Sequence, residues 1–177
     1  MTFVTLVDRT NSIIGRFAAW LGLAMVFVGA GNAIASFIEP YAGRRLSSVG
    51  LEELQWYLFS ALFLLAAPWA LAENAHVRVD VLYGRLSQRG KAWTDAIGGS
   101  VLLVPFCLYA IVVTYPTAME SLRVREVSPD PGGLARWPIK LLVPVAFTLL
   151  ALQGVANVVR SITSLRVAQP TPAEDDA

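Results

Sequence analysis

The sequence predicts an all-α membrane protein with four transmembrane helices and a short amphipathic cytoplasmic segment after the second helix. Apolar side chains make up 55% of the 177 residues and charged ones only 15%, and the mean hydropathy is +0.56. The charged residues also bracket four charge-free runs of 19 to 24 residues. A bilayer core about 30 Å thick needs roughly 20 helical residues, and a helix satisfies its own backbone polar groups there. We therefore expect spanning helices at about residues 17–38, 54–72, 96–119 and 141–159.

The first apolar run follows Arg9 and Arg16 and ends in Ala33-Ile34-Ala35, a pattern that also suits a secretory signal peptide. The run is longer than a typical signal-peptide core of about 7–15 residues, so we expect an uncleaved first helix. Small residues within it form one slim face that lets another helix approach closely. These residues are Ala18, Gly22, Gly29 and Ala33. The approaching helix belongs either to this chain or to another subunit.

The connection at residues 73–92 holds the densest basic cluster of the chain, comprising Arg78, Arg85, Arg89 and Lys91. Together with the two termini, this side carries eight lysines and arginines, against six in the other connections. The positive-inside rule therefore places both termini and this connection in the cytoplasm. Apolar residues recur at helical spacing opposite the arginines and predict the short amphipathic helix on the membrane surface. They are Val79, Leu82, Tyr83 and Leu86.

The last two helices are joined by residues 120–138, which contain the turn-rich sequence 128–133, Ser-Pro-Asp-Pro-Gly-Gly. In the fourth helix, Gln153 and Asn157 are four residues apart and share one face. We expect them to form hydrogen bonds to a neighbouring helix rather than to contact a solute. Residues 1–166 then form one four-helix membrane domain. The acidic segment 167–177 is rich in small residues and predicts a disordered cytoplasmic tail.

Several classes of function are disfavoured by what the sequence lacks. There is no phosphate-binding loop, dinucleotide-binding turn or paired-cysteine metal site, and the net charge of +1 gives no reason to expect nucleic acid as a partner. Cys107 lies inside an apolar run and is interpreted as a packing residue. His76 is the only histidine and lies at a membrane edge, whereas membrane haem usually needs paired histidines on helices. We therefore predict a protein that is not an enzyme, with no catalytic residue, cofactor or metal.

The segment 73–80, Glu-Asn-Ala-His-Val-Arg-Val-Asp, resembles the hallmark region of a family of small transporter subunits. These are the small membrane subunits of tripartite ATP-independent periplasmic (TRAP) transporters, the DctQ-like family. Within the segment, the matching residues are Glu73, His76, Arg78 and Asp80. Further similarity lies at Glu120-Ser121, Gly132-Gly133-Leu134, Trp137-Pro138-Ile139-Lys140 and Leu152-Gln153-Gly154. The resemblance covers about residues 10–165, and the order and spacing of these short motifs carry it.

The resemblance implies a non-catalytic subunit of a bacterial inner-membrane importer of organic acids, driven by an ion gradient. A periplasmic substrate-binding protein delivers the solute, a large membrane subunit transports it, and the small subunit acts as a scaffold among membrane lipids. On this basis we expect some residues to be structural or to lie at the subunit interface, namely Glu73, His76, Arg78, Asp80, Glu120, Lys140, Gln153 and Asn157. Candidates for contact with the binding protein are Arg123, Arg125 and Arg136.

Two other functions remain compatible with the residues alone. The first is a self-contained small carrier or channel that acts as a homo-oligomer. The second is the membrane anchor of a redox complex, which a haem spectrum of the purified chain would reveal. The absence of ionisable residues inside the four runs disfavours a self-sufficient carrier, because such residues usually mark transport pathways. The sequence does not identify the organic acid or the coupling ion.

Overall fold

The computed structural model describes residues 2–43, 47–73 and 86–167, and the side chains of these residues except 166 and 167. Its described residues form four helices that are long and apolar enough to cross a membrane, which confirms the predicted fold class. They are α1 (Thr2–Ala42), α2 (Val49–Ala72), α3 (Gln88–Arg123) and α4 (Trp137–Val167). Within the described ranges, β-structure is limited to one isolated antiparallel bridge between Val127 and Ala135.

The helices extend beyond the charge-free runs from which they were predicted. α1 begins at Thr2 rather than near residue 17, and its 41 residues measure about 61 Å at about 1.5 Å each. That is about twice the thickness of a bilayer core. Asp8, in the part of α1 that precedes the predicted run, forms an ion pair with Arg160 of α4, so these early turns are linked to that helix.

α3 is continuous but changes its winding at residues 98–103. An α-helical first part, Gln88–Ile97, is followed by a π-helical segment, Gly98–Leu103, and by a second α-helical part, Val104–Arg123. The backbone N–H of Val104 donates to the carbonyl of Gly99, five residues back. Pro105 follows directly and has no N–H to donate, so the helical ladder is interrupted at this point in any case.

Close packing at glycines joins neighbouring helices. A Cβ atom added at Gly15 of α1 would lie 2.5 Å from Cβ of Trp69 in α2, and one added at Gly22 would lie 3.2 Å from Leu62. The slim face of α1 therefore packs against α2 of the same chain. Ala33 does not belong to this face, because its side chain is exposed. Gly15, which extends the face toward the start of the helix, was not anticipated because it precedes the charge-free run.

The chain direction places two sets of helix ends at opposite ends of the bundle. The end with Ala42, Val49 and residues 124–136 is called the loop end below. The other end, called the paired end, contains the start of α1 and the later turns of α4, which are linked there by Asp8 and Arg160. The segment 74–85, where the amphipathic surface helix is predicted, lies outside the described residues. Arg89, assigned to the polar side of that helix, lies instead in the first turn of α3.

The interior of the bundle is narrow and is filled mainly by small side chains. Ala18, Cys107 and Ala156 have no exposed surface, so Cys107 is a buried packing residue as expected. Large apolar side chains face outward instead, including Phe27 and Val112, at 68% and 70% exposure. In water such a surface would be strongly unfavourable, whereas in a bilayer it is covered by acyl chains or by another membrane subunit.

Candidate functional site

A buried polar network occupies the paired end of the bundle, with Gln153 of α4 at its centre. The Gln153 side chain has no exposed surface. Its Oε1 accepts a hydrogen bond of 2.7 Å from Nδ2 of Asn11 in α1, and its Nε2 donates to Oδ1 of Asp8 at 2.8 Å. Nε2 also lies 3.3 Å from Oδ1 of Asn157, its partner on the same helix face. The interhelical hydrogen bonding expected for Gln153 is therefore present.

Asn157 and Arg160 extend the network to the end of α2 and to the protein surface. Nδ2 of Asn157 donates to the backbone carbonyl of Leu71 at 3.3 Å, and Nη1 of Arg160 donates to Oδ1 of Asn157 at 3.1 Å. Nη2 of Arg160 also forms an ion pair of 2.5 Å with Oδ2 of Asp8. The network thus joins α1, α2 and α4. Its charges are partly exposed, while its amides are buried or half-buried.

This arrangement suits a structural role better than a transport path. The amide N–H groups named above all donate to protein oxygens, and Asp8 and Arg160 neutralise each other. Oδ1 of Asn11 is buried without a hydrogen-bond partner among the described residues. Sequence reasoning missed Asp8 and Asn11 because they precede the first charge-free run. Their spacing of three residues, which places them on one helix face, was the available signal.

A second polar cluster lies at the loop end around Glu53, in the first turns of α2. Glu53 is only 5% exposed although it is charged. Its carboxylate accepts hydrogen bonds from the hydroxyl of Ser128 and, at 2.5 Å, from the backbone N–H of Leu134. Nη2 of Arg136 lies 3.8 Å from the same carboxylate. A buried carboxylate needs such donors, and here the connection between α3 and α4 supplies them.

The connection folds back on itself as a short hairpin, residues 124–136, which Glu53 holds against α2. The backbone N–H of Ser128 donates to the carbonyl of Leu134, and that of Arg136 to the carbonyl of Glu126, both at 2.9 Å. Gly132 has a φ of +82°, a conformation that favours glycine. Gly133 is required for space, because an added Cβ would lie 2.5 Å from Ser128 and 2.8 Å from Glu53. The turn-rich sequence therefore forms an ordered surface.

Lys140 anchors the hairpin from the first turn of α4. Its Nζ lies 2.5 Å from Oε2 of Glu126, and both side chains are about one-third exposed. This hydrogen bond from Lys140 holds the pKa of the Glu126 carboxyl below its ordinary value. Lys140, predicted as a structural or interface residue, thus contacts the hairpin of its own chain.

The three arginines proposed to contact a binding protein have different environments. Arg136 is half-buried and faces Glu53. Arg125 has a φ of +50°, and its guanidinium lies 5.5 Å from the ring centre of Trp137, a cation–π distance. Arg123 is exposed in the last turn of α3. Arg123 and Arg125 are therefore the more accessible of the three.

The remaining predicted site residues are only partly described. Glu73 is exposed and follows the last residue of α2, and its backbone N–H donates to the carbonyl of Trp69 at 3.0 Å. Glu120 is exposed on α3. His76, Arg78 and Asp80 lie outside the described residues. In the described ranges, histidine, cysteine and acidic side chains form no cluster of three or more that could hold a metal.

Comparisons with known proteins agree on one family. The model of the family described as "Tripartite ATP-independent periplasmic transporters, DctQ component" matches residues 41–164. Among curated proteins, the isethionate TRAP transporter permease protein DctMQ of Oleidesulfovibrio alaskensis is 26% identical over 150 residues. The match covers 78% of this chain but 22% of that protein, so this chain corresponds to about a fifth of its relative. No solved structure matches.

Proposed function

The chain belongs to the DctQ component family of TRAP transporters, and from this premise we propose that it is the non-catalytic scaffold of an organic-acid importer. In this role it supports a large transport subunit and helps to receive solute from a periplasmic binding protein. The observation that carries the proposal is the polar network around Gln153, whose hydrogen bonds link α1, α2 and α4 of this chain to one another. It leaves the transport chemistry to a partner.

The outward apolar surface supports the same role. Large side chains such as Phe17, Phe27 and Val112 are exposed on α1 and α3. A membrane subunit can present this surface to lipid on one side and to a larger partner on the other. The absence of charged side chains from the middle of the spans favours a supporting wall over a conduit.

We propose further that the loop end faces the periplasm and that the paired end, with both termini, faces the cytoplasm of a bacterial inner membrane. The hairpin 124–136 then lies on the side from which a binding protein approaches. Its ordered backbone and the exposed guanidinium of Arg123 fit contact with a soluble protein. Cysteine labelling from each side of intact cells tests this: labelling of position 130 by an impermeant reagent supports the orientation, and protection of that position contradicts it.

Co-purification and transport together test the main proposal. An affinity-tagged chain, expressed with its neighbouring genes, should retain a large membrane protein in stoichiometric amount. Proteoliposomes containing that complex should take up an organic acid only when the binding protein and an ion gradient are present. The solute panel should contain carboxylates and isethionate, since the curated relative is named for isethionate. Uptake by this chain alone would instead support a self-contained carrier, and a haem spectrum would support a redox anchor.

The hallmark residues Glu73, His76, Arg78 and Asp80 are proposed to fix the end of α2 at the cytoplasmic surface or against the large subunit. This role is motivated by the clustering of acidic and basic residues within eight positions at a membrane boundary. Arg78→Glu and Asp80→Lys should lower the yield of the complex together with uptake. Unchanged yield and uptake in both variants would reject the role.

A further inference from the structure

An apolar groove with a charged rim lies between α2 and α4 at the loop end. Its volume is about 510 Å³. Trp56, Phe59 and Phe63 of α2 line one wall, and Val143 of α4 lines the other. Their spacing along α2 makes the aromatic wall about 10 Å long, since a helix rises about 1.5 Å per residue. Arg136 and Lys140, which also contact Glu53 and Glu126, form its rim.

The rim has donors that are only partly used within the chain. The Arg136 side chain is 31% exposed, and its Nη2 lies 3.8 Å from Glu53, which is longer than a hydrogen bond. Lys140 is 36% exposed beside Glu126, which is 30% exposed. The rim therefore presents two cations with a carboxylate directly next to them. A ligand that matches it has an anionic group and, a few ångströms away, a cationic group.

Groove and rim together match the two parts of a membrane lipid. We propose that this groove binds one phospholipid with a zwitterionic headgroup of the phosphatidylethanolamine type. Its phosphate accepts hydrogen bonds from Arg136 and Lys140, its ammonium group lies beside Glu126, and one acyl chain follows the aromatic wall toward Phe63. The cations lie at the start of α4, which is the depth at which headgroups occur.

The charged rim favours a lipid over a helix of another subunit. A lipid headgroup supplies an anion for Arg136 and Lys140, while its acyl chain covers the apolar wall. An acyl chain also needs no hydrogen-bond partners along its length. Because the rim cations also hold Glu53 and Glu126, the bound lipid adjoins the hairpin 124–136.

Native mass spectrometry of the full-length chain tests the proposal. The chain is purified in mild detergent, stripped of lipid and mixed with dioleoylphosphatidylethanolamine, dioleoylphosphatidylglycerol or dioleoylglycerol. We expect one molecule of the ethanolamine lipid to be retained at least tenfold better than the glyceride, which has no phosphate, since one charge-assisted hydrogen bond corresponds to about this factor. Equal retention of the glyceride overturns the headgroup site, and equal retention of phosphatidylglycerol overturns the zwitterionic assignment.

Two pairs of variants locate the bound lipid. Lys140→Gln should weaken retention about tenfold, whereas Arg123→Gln, which removes a nearby charge outside the groove, should not. Ser60→Trp fills the groove without altering its charges and should abolish retention. Val112→Trp adds the same side chain to the exposed surface of α3 and should leave retention unchanged. Wild-type retention in Ser60→Trp overturns the proposal, as does a photo-crosslink from position 63 to a protein helix instead of to lipid.

Discussion

Replacing Gln153 by leucine tests whether the buried network stabilises the bundle. Leucine has a similar size and suits an apolar interior, but it cannot accept the hydrogen bond from Asn11 or donate to Asp8. The change therefore removes the centre of the network while keeping the space filled. Asn11 then remains buried, at 1% exposure, with its amide donor unpaired.

The expected loss follows from the contacts of Gln153. Its side chain makes hydrogen bonds to Asn11, Asp8 and Asn157, and interhelical hydrogen bonds in membrane proteins average about 0.6 kcal/mol each, with an upper value of about 1.7. The bonds to Asn11 and Asp8 join different helices, whereas Asn157 lies on the same helix as Gln153. The two interhelical bonds give a loss of about 1 to 3 kcal/mol in the free energy of unfolding. The 2.7 Å bond to Asn11 is the shortest and the most buried, so about 1 kcal/mol of this total should couple these two residues.

A double-mutant cycle measures that coupling. Wild type, Asn11→Leu, Gln153→Leu and the double variant are unfolded reversibly in mixed micelles by increasing amounts of denaturing detergent. The double variant should be more stable than the sum of the single losses predicts, by about 1 kcal/mol. Leu152→Ala serves as the control. It changes a neighbouring residue on the outward surface and leaves the hydrogen bonds of the network intact. If the losses of the two single variants sum to the loss of the double variant within about 0.4 kcal/mol, Asn11 and Gln153 are not coupled and the reasoning is refuted.

Three further predictions concern packing, the hairpin and pH. Gly15→Ala should destabilise the bundle by about 2 kcal/mol in the same unfolding assay, because the new Cβ would lie 2.5 Å from the Cβ of Trp69 and the helices must separate. Glu53→Gln should speed hydrogen exchange at the Leu134 amide, because the charged acceptor of that N–H is lost. A spin label on the hairpin should become mobile as the pH falls through the lowered pKa of Glu126: the stabilisation from its bond to Lys140 is complete above the ordinary carboxyl pKa and is lost on protonation.

Each of these predictions has a matched control. Gly31→Ala adds the same methyl group where no atom lies within 4 Å, so equal losses at positions 15 and 31 would contradict the packing argument. Glu52→Gln alters an exposed neighbour in the same helical turn and should leave the Leu134 amide protected. In Lys140→Gln the label should be mobile across the whole pH range, because the bond that protonation of Glu126 breaks is already absent. A wild-type transition in that variant would count against the ion pair.

The sequence alone was sufficient to predict the membrane class and the presence of four spanning helices. Bilayer thickness fixes the length of an apolar run, and each run is a local property of the chain. The same locality explains where the prediction of helix ends was incomplete. α1 begins at Thr2, well before its apolar run, and Asp8 in these early turns pairs with a residue more than 150 positions away. A window of apolar residues carries no information about that contact.

The polar clusters show what only the tertiary structure decided. Gln153 and Asn157 were recognisable as a polar pair on one helix face, but the partner Asn11 depended on which helices are neighbours. In the sequence Glu53 is simply the charged residue before the second apolar run, whereas the structure buries it beneath the hairpin 124–136. Hydropathy is a sum over consecutive residues and identifies the solvent that a helix needs. Hydrogen-bond partners, in contrast, are set by distances between helices, which arise only when close packing at positions such as Gly15 brings them together.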